Sequence, residues 1–185
     1  MIKSFLSAAL IAGLGVAAFA PQSARADDGT INIDGRVLAQ SCKVENNANG
    51  TAATINVHLP WVYAPTLNAA GSTTGDTAFP IHITDCDAAL TSVKTYFSGA
   101  NIDTTTGYLK QTTSGGANNV QIQLLNSDNS AITLNGGDAT AQNSKPVTMS
   151  NGAATLNYVA RYISPQGSAT PGAVTSSVQF TLVYQ

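Results

Sequence analysis

Residues 29–37, Gly29-Thr-Ile-Asn-Ile-Asp-Gly-Arg-Val37, place Ile31, Ile33, Gly35 and Val37 on one face of an extended chain. Thr30, Asn32, Asp34 and Arg36 fall on the other face. Alternation with period two marks a β-strand with one buried side. Such a strand has two destinations: this protein's own sheet, or another molecule. On alternation alone the first is the simpler, a self-contained secreted β-sandwich binding module.

The stretch lies just behind an export signal. Met1-Ile-Lys3 is a short basic start, Phe5 to Phe19 is an apolar run rich in Ala, Leu and Gly, and Ala24-Arg-Ala26 is a small-x-small cleavage site. This is the pattern of a secretory signal peptide over residues 1–26, too short and wrongly flanked for a stable membrane span. Cleavage at Ala18-Phe-Ala20 would leave Pro21 directly after the cut, which is unfavourable, so Asp27 is the expected mature first residue. The mature chain then has 185 − 26 = 159 residues, enough for one domain with a real core.

Lys3 and Arg25 leave with the signal, so 8 − 2 = 6 basic residues remain against 10 acidic ones, a net charge of −4. A mildly acidic, charge-poor surface argues against nucleic acid or an anionic membrane as partner. Cys42 and Cys86 are an even pair in an exported chain and read as a disulfide. Closing a loop of 86 − 42 = 44 positions restricts the unfolded chain by roughly 4 kcal/mol on the loop-entropy account.

The rest of the chain is rich in Thr, Val, Ile, Asn and Gly and has no long 3.6-period stretch, so the expected class is all-β. Thr54 to Leu59 alternates with Ile55, Val57 and Leu59 inward, and Pro60 ends it because proline cannot donate to a ladder. Ala69 to Asp76 reads as a loop. Phe79, Ile81 and Ile83 alternate up to Cys86, and Val93 to Ser98 is the next strand. Leu109 to Asn119 reads as a mobile connection. Val120 to Leu124 turns at Asn126-Ser-Asp-Asn129 into Ala131 to Leu134, a predicted hairpin. Leu156, Tyr158, Ala160 and Tyr162 share one face. After a long turn from Ser164 to Gly172, so do Val174, Ser176, Val178, Phe180, Leu182 and Tyr184. Many short strands divided by turns suggest a β-sandwich.

Chemistry-bearing constellations are lacking. His58 and His82 both point outward from strand patterns and share no zinc-type spacing. No Gly-x-Ser-x-Gly elbow, phosphate loop or calcium loop occurs. Asp85 and Asp87 beside Cys86 read as a solvated turn rather than metal ligands. Trp61 and Tyr63 could stack on a sugar, but packing in the core or a loop is the expectation. The Asn49-Gly-Thr51 sequon is given no role. The chain is not expected to be an enzyme, and no cofactor is implied.

The two termini decide between the readings. The last strand carries its apolar face to Tyr184, with no later segment to cover its edge, and exposed regular edges invite pairing with another chain. At these residues the sequence resembles the type 1 pilin family, fimbrial subunits of Gram-negative bacteria assembled by the chaperone–usher pathway. The resemblance covers the mature chain. It is carried by Thr30-Ile-Asn-Ile-Asp-Gly-Arg-Val37, Cys42, Asp85-Cys-Asp87, Ala160-Arg-Tyr162, Ala169-Thr-Pro-Gly172, and the terminal strand with Tyr184 next to last.

The resemblance implies an incomplete immunoglobulin-like β-sandwich lacking its last strand, with residues 27–41 as a donor-strand extension leading into the first strand and 42–185 as the pilin domain. A periplasmic chaperone would lend a strand to the open groove. At the outer-membrane usher, the extension of a neighbouring subunit would replace it and build a surface fimbria for adhesion. Ile31, Ile33, Gly35 and Val37 would be the inserted residues. Val178, Phe180, Leu182, Tyr184 and Gln185 would form the acceptor edge and the chaperone's handle, Gln185 through its carboxylate. Cys42–Cys86 would join the first two strands. A tip adhesin or minor adaptor is the nearest rival within that pathway. Tip adhesins usually have two domains and no donor extension, whereas this chain is short and has one.

Overall fold

The computed structural model describes residues 42–48 and 51–185. The signal peptide, the donor residues Ile31, Ile33, Gly35 and Val37, and Asn49 of the sequon lie outside the described residues.

Among the described residues eight strands form two antiparallel sheets: β1 (Lys43–Val44), β2 (Ser72–Thr84), β3 (Ser92–Ser98), β4 (Leu109–Lys110), β5 (Gln121–Asn126), β6 (Val147–Thr148), β7 (Ala154–Ser164) and β8 (Gln179–Tyr184). One sheet has the order β1-β2-β7-β5-β4 and the other β6-β3-β8. An immunoglobulin sandwich places its first, second, fifth and fourth strands in one sheet, and its third, sixth and seventh in the other. Here β1, β2, β7 and β5 match the first set in order, and β3 and β8 match the third and sixth. Among the described residues, no strand lies beyond β8 where the seventh belongs.

The core follows from the alternation. Ile81 and Ile83 from β2, Val93 and Phe97 from β3, Ile122 and Leu124 from β5, and Leu156 and Tyr158 from β7 are buried in one cluster. Phe97 meets the Tyr158 ring edge to face at 5.4 Å, a favoured aromatic arrangement. The Cys42–Cys86 disulfide forms and is buried in the same cluster. It joins the residue before β1 to the segment after β2, whose pairing is Lys43 to Thr84 and Val44 to Ile83.

The structure departs from sequence expectation at several elements. Ser72 to Asp76, expected as loop, belongs to β2 and pairs with the far end of β7, with a register shift between Thr74 and Thr77. Gly75 sits in that irregularity at φ 75°, where a Cβ would lie 2.9 Å from the Tyr162 ring. Both the left-handed backbone and the close approach require glycine. Ala131 to Leu134 is not a full strand. Only Ala131 bridges to Leu125, and the Ile132 N–H donates to the Leu124 carbonyl, while the buried Ile132 and Leu134 face the core. Of the connection from Leu109 to Asn119, the first two residues form β4.

A buried polar device protects one edge. β6 covers only Ser92 and Val93 of β3. Further along, the fully buried Gln142 side chain takes the place of a strand: its Oε1 accepts from the Phe97 N–H at 2.9 Å and its Nε2 donates to the Phe97 carbonyl at 2.7 Å. Nε2 also donates to the Leu134 carbonyl at 3.0 Å. A lone glutamine in a polar loop gave no hint of this.

Candidate functional site

The opposite edge of this sheet is β8. Every residue from Gln179 to Tyr184 faces a partner on β3, Tyr184 opposite Val93 and Gln179 opposite Ser98. At the end of the ladder, Gln185 N–H donates to Ser92 O at 2.9 Å and Ser92 N–H donates to Gln185 O at 3.1 Å. Antiparallel ladders alternate bonded and non-bonded pairs. The bonded pairs are therefore Ser92 with Gln185, Lys94 with Val183, Tyr96 with Thr181, and Ser98 with Gln179. Phe180, Leu182 and Tyr184 must turn their N–H and C=O groups away from β3. The Phe97 N–H, taken by Gln142 on the far side, has the matching parity.

The same residues carry the apolar row. Val178, Phe180, Leu182 and Tyr184 are half-buried and pack against the core, while Gln179 and Thr181 are exposed. Val174 continues the row, although residues 174–178 are not part of β8, contrary to the single long strand expected from sequence. They are tied instead to the 112–117 loop: Ala117 N–H donates to the Ala173 carbonyl and Thr112 N–H to the Thr175 carbonyl. The Ser176 hydroxyl is buried without a hydrogen-bond partner among the described residues. Gln185 is exposed, with its main-chain oxygen also accepting the Thr91 N–H and the Thr91 hydroxyl, each at 2.9 Å.

A second row flanks the same core. Residues 54–60 alternate between exposed and half-buried, and Ile55, Val57 and Leu59 pack on the core cluster. Among the described residues this stretch pairs with no strand, where the sequence suggested one. Among the described residues no backbone–backbone hydrogen bond is made by 53–62. Alternation was legible; the missing ladder was not, because period two reports burial and not pairing. A site role for Ile55, Val57 and Leu59 was missed, though the same period-two signal as in the last strand marks them.

The two rows run in opposite directions. Residues 51–63 lead from the Cys42 end of the sandwich back to the start of β2. The 174–184 segment begins near Tyr162 and Leu67 and ends at Tyr184, whose phenol receives a hydrogen bond from the Cys42 backbone. Burial nonetheless pushes the Tyr184 phenol up. Neither row carries a charged residue; its one titratable imidazole, His58, points outward and is exposed. Among the described residues the geometry is a half-covered apolar strip bordered by backbone without ladder partners, suited to taking an extended apolar strand.

The remaining candidates are structural. Asp85 pairs with Lys43 at 2.6 Å, and Asp87 accepts the Ala89 N–H at 2.9 Å. His82 is exposed beside Thr155. Among the described residues no group of three metal-ligating side chains converges. Trp61 and Tyr63, expected to pack in a core or loop, are instead fully and largely exposed.

Comparison with known proteins agrees with this architecture. The family profile described as FimA, type-1 fimbrial protein, A, matches residues 59–185, more than half of the chain. The chain is 41% identical over 172 residues to the major fimbrial subunit SMF-1 of Stenotrophomonas maltophilia, covering 90% of this chain and 98% of that one. It is also 41% identical over 178 residues to the F17 fimbrial protein of Escherichia coli, covering 93% and 96%. A chain in a solved structure of a chaperone–usher pilus shares the fold with a TM-score of 0.60 at 19% identity, covering 90% of this chain and all of that one. The chain belongs to the type 1 fimbrial protein family.

Proposed function

We propose that this chain is a structural subunit of a surface fimbria, joined to its neighbours by donor-strand exchange. The observation that carries the reading is the edge of β8: Phe180, Leu182 and Tyr184 turn their backbone groups outward beside a half-covered apolar strip, in an immunoglobulin-type sandwich with no seventh strand among the described residues. Ile31, Ile33, Gly35 and Val37 of a neighbouring copy have the alternation to fill it. Each apolar side chain fully buried there contributes about 1.5–3 kcal/mol before ordering costs, and the ladder bonds add to that. Gly35 lets the backbone approach where the strip is shallow.

Before assembly, a periplasmic chaperone covers the strip with a strand of its own, engaging Val178, Phe180, Leu182, Tyr184 and Gln185. An outer-membrane usher then exchanges that strand for the neighbour's extension. The signal peptide over 1–26 delivers the chain to this route, the extension over 27–41 is the donor, and 42–185 is the body.

The test is the size of protein sheared from the source cells, run on an SDS gel with and without boiling. The native chain is compared with one lacking Asp27 to Val37. A ladder that collapses only on boiling and vanishes in the truncated chain is expected. A discrete native monomer, with the truncated chain degraded, would mean that the first strand completes its own sheet.

A further inference from the structure

Trp61 and Tyr63 are the exposed large hydrophobic residues among those described, at 101% and 83% of full exposure. The alternation shifts phase at Pro60: Val62 is half-buried, and Trp61 and Tyr63 on either side of it face out, just beyond the end of the Ile55, Val57 and Leu59 row. Their backbone is held at both ends. Pro60 lies against Gly75 beside the Tyr162 ring. Tyr63 O accepts both the N–H and the hydroxyl of Thr66, at 3.0 and 2.7 Å, in a 3-10 turn closed by the buried Leu67. Two aromatic side chains on a fixed backbone lose little freedom on contact, the usual property of an interface anchor.

We propose that Trp61 and Tyr63 form a subunit–subunit contact with the body of a second copy of this chain, the copy whose N-terminal strand fills the strip; this rests on the assembly reading above. Direction decides the occupant. All strand pairs of both sheets are antiparallel. A strand added antiparallel to β8 starts beside Tyr184 and finishes beside Val178. Only residues 38–41 then separate Val37 from the donor's own Cys42, a reach of roughly 18 Å at most. The donor's body must therefore sit at the Val174 end of the strip. Tyr162 and Val174 pack on the same Leu67 cluster, and the Tyr162 ring and Pro60 both lie against Gly75 there, so that is the end where Trp61 and Tyr63 stand. A strand running the other way would carry the donor's body to the Cys42 end, away from the aromatic pair.

Trp61 is the sole tryptophan, so the native chain reports on itself. Acrylamide quenching and emission maximum are measured on sheared fibres, on N-acetyltryptophanamide, and on a monomer completed by a second Thr30–Val37 segment fused after Gln185. Quenching reduced severalfold with a blue-shifted emission in the fibre, against free-tryptophan behaviour in the monomer, is the expected result. Equal quenching in fibre and free tryptophan overturns the contact while leaving the fibre intact. Protection already present in the monomer overturns it too, since the strand itself would then be the cover. Absence of any boil-sensitive polymer overturns the assembly reading and the contact with it. The Trp61→Ala, Tyr63→Ala chain should still give the boil-sensitive ladder, but in shorter fibres by electron microscopy; unchanged length counts against the contact.

Discussion

Ser92 and Gln185 exchange both of their backbone hydrogen bonds, at 2.9 and 3.1 Å. That one pair sets the phase of the β3–β8 ladder and so decides which residues of β8 offer their backbone to a further strand. It also makes the Gln185 carbonyl a structural acceptor for Thr91 and Ser92, a role a peptide carbonyl fills as well as a terminal one.

A chain extended past Gln185 by a short flexible turn and a second Thr30–Val37 should therefore fold alone. The ladder continues, and the appended strand returns antiparallel to β8 as a hairpin. The expected product is a soluble oxidised monomer, resistant to SDS until heated, made without any co-expressed chaperone. Aggregation or degradation of this fusion, with the native chain recovered normally, would count against β8 as the acceptor edge.

Gly35→Arg should block assembly while leaving the body unchanged. The guanidinium cannot be neutralised and would have to enter an apolar strip whose walls carry no charge. Burying a charge without a partner is strongly unfavourable. The boil-sensitive ladder should disappear while the subunit still accumulates in the periplasm. Fibre yield equal to the native chain would remove Gly35 from the inserted row.

The extent to which this was legible depends on what period two can report. It marks burial, so β2 from Phe79, β3, β5 and β7 stood out, and so did the apolar rows at 55–59 and 174–184. It is silent on pairing, so residues 54–60, which pair with no strand among the described residues, looked like any strand. Ser72 to Asp76 looked like a loop because small polar residues and a glycine fill a bulged strand end. Trp61 and Tyr63 defeated expectation because large aromatics are usually buried. Here the alternation shifts phase at Pro60, so Val62 turns toward the protein and the two aromatics face out.

Gln142 should matter more to stability than its place in a polar loop suggests. Gln142→Leu keeps approximate volume but strands the Phe97 N–H and carbonyl, both bonded by the native amide. Each unsatisfied buried group costs about 1–3 kcal/mol, so a loss of about 3 kcal/mol is expected. Guanidinium unfolding of the strand-completed monomer measures it. A loss below about 1 kcal/mol would mean that another group takes over the β3 edge.

Tyr158 links the core to alkaline stability. Burial pushes its phenol up, opposed by hydrogen bonds from Thr95 and Ser144; Thr95 Oγ1 lies 2.8 Å from the hydroxyl. With the folded pKa above the unfolded value, the neutral phenol is the form the fold favours. The associated stability is complete below about pH 10, the ordinary tyrosine value, and is lost as pH rises from there through the folded pKa. Tyr162 and Tyr184 are shifted the same way by burial, so the native monomer should lose stability steeply above that point. Tyr158→Phe removes the most buried contributor. It should cost about 1 kcal/mol at neutral pH through the lost hydrogen bond, yet flatten the alkaline decline. Denaturation midpoints of the two monomers from pH 7 to 11 test both parts. Parallel curves would show that Tyr158 does not ionise on unfolding in this range, and that the decline belongs to the two tyrosines nearer the strip.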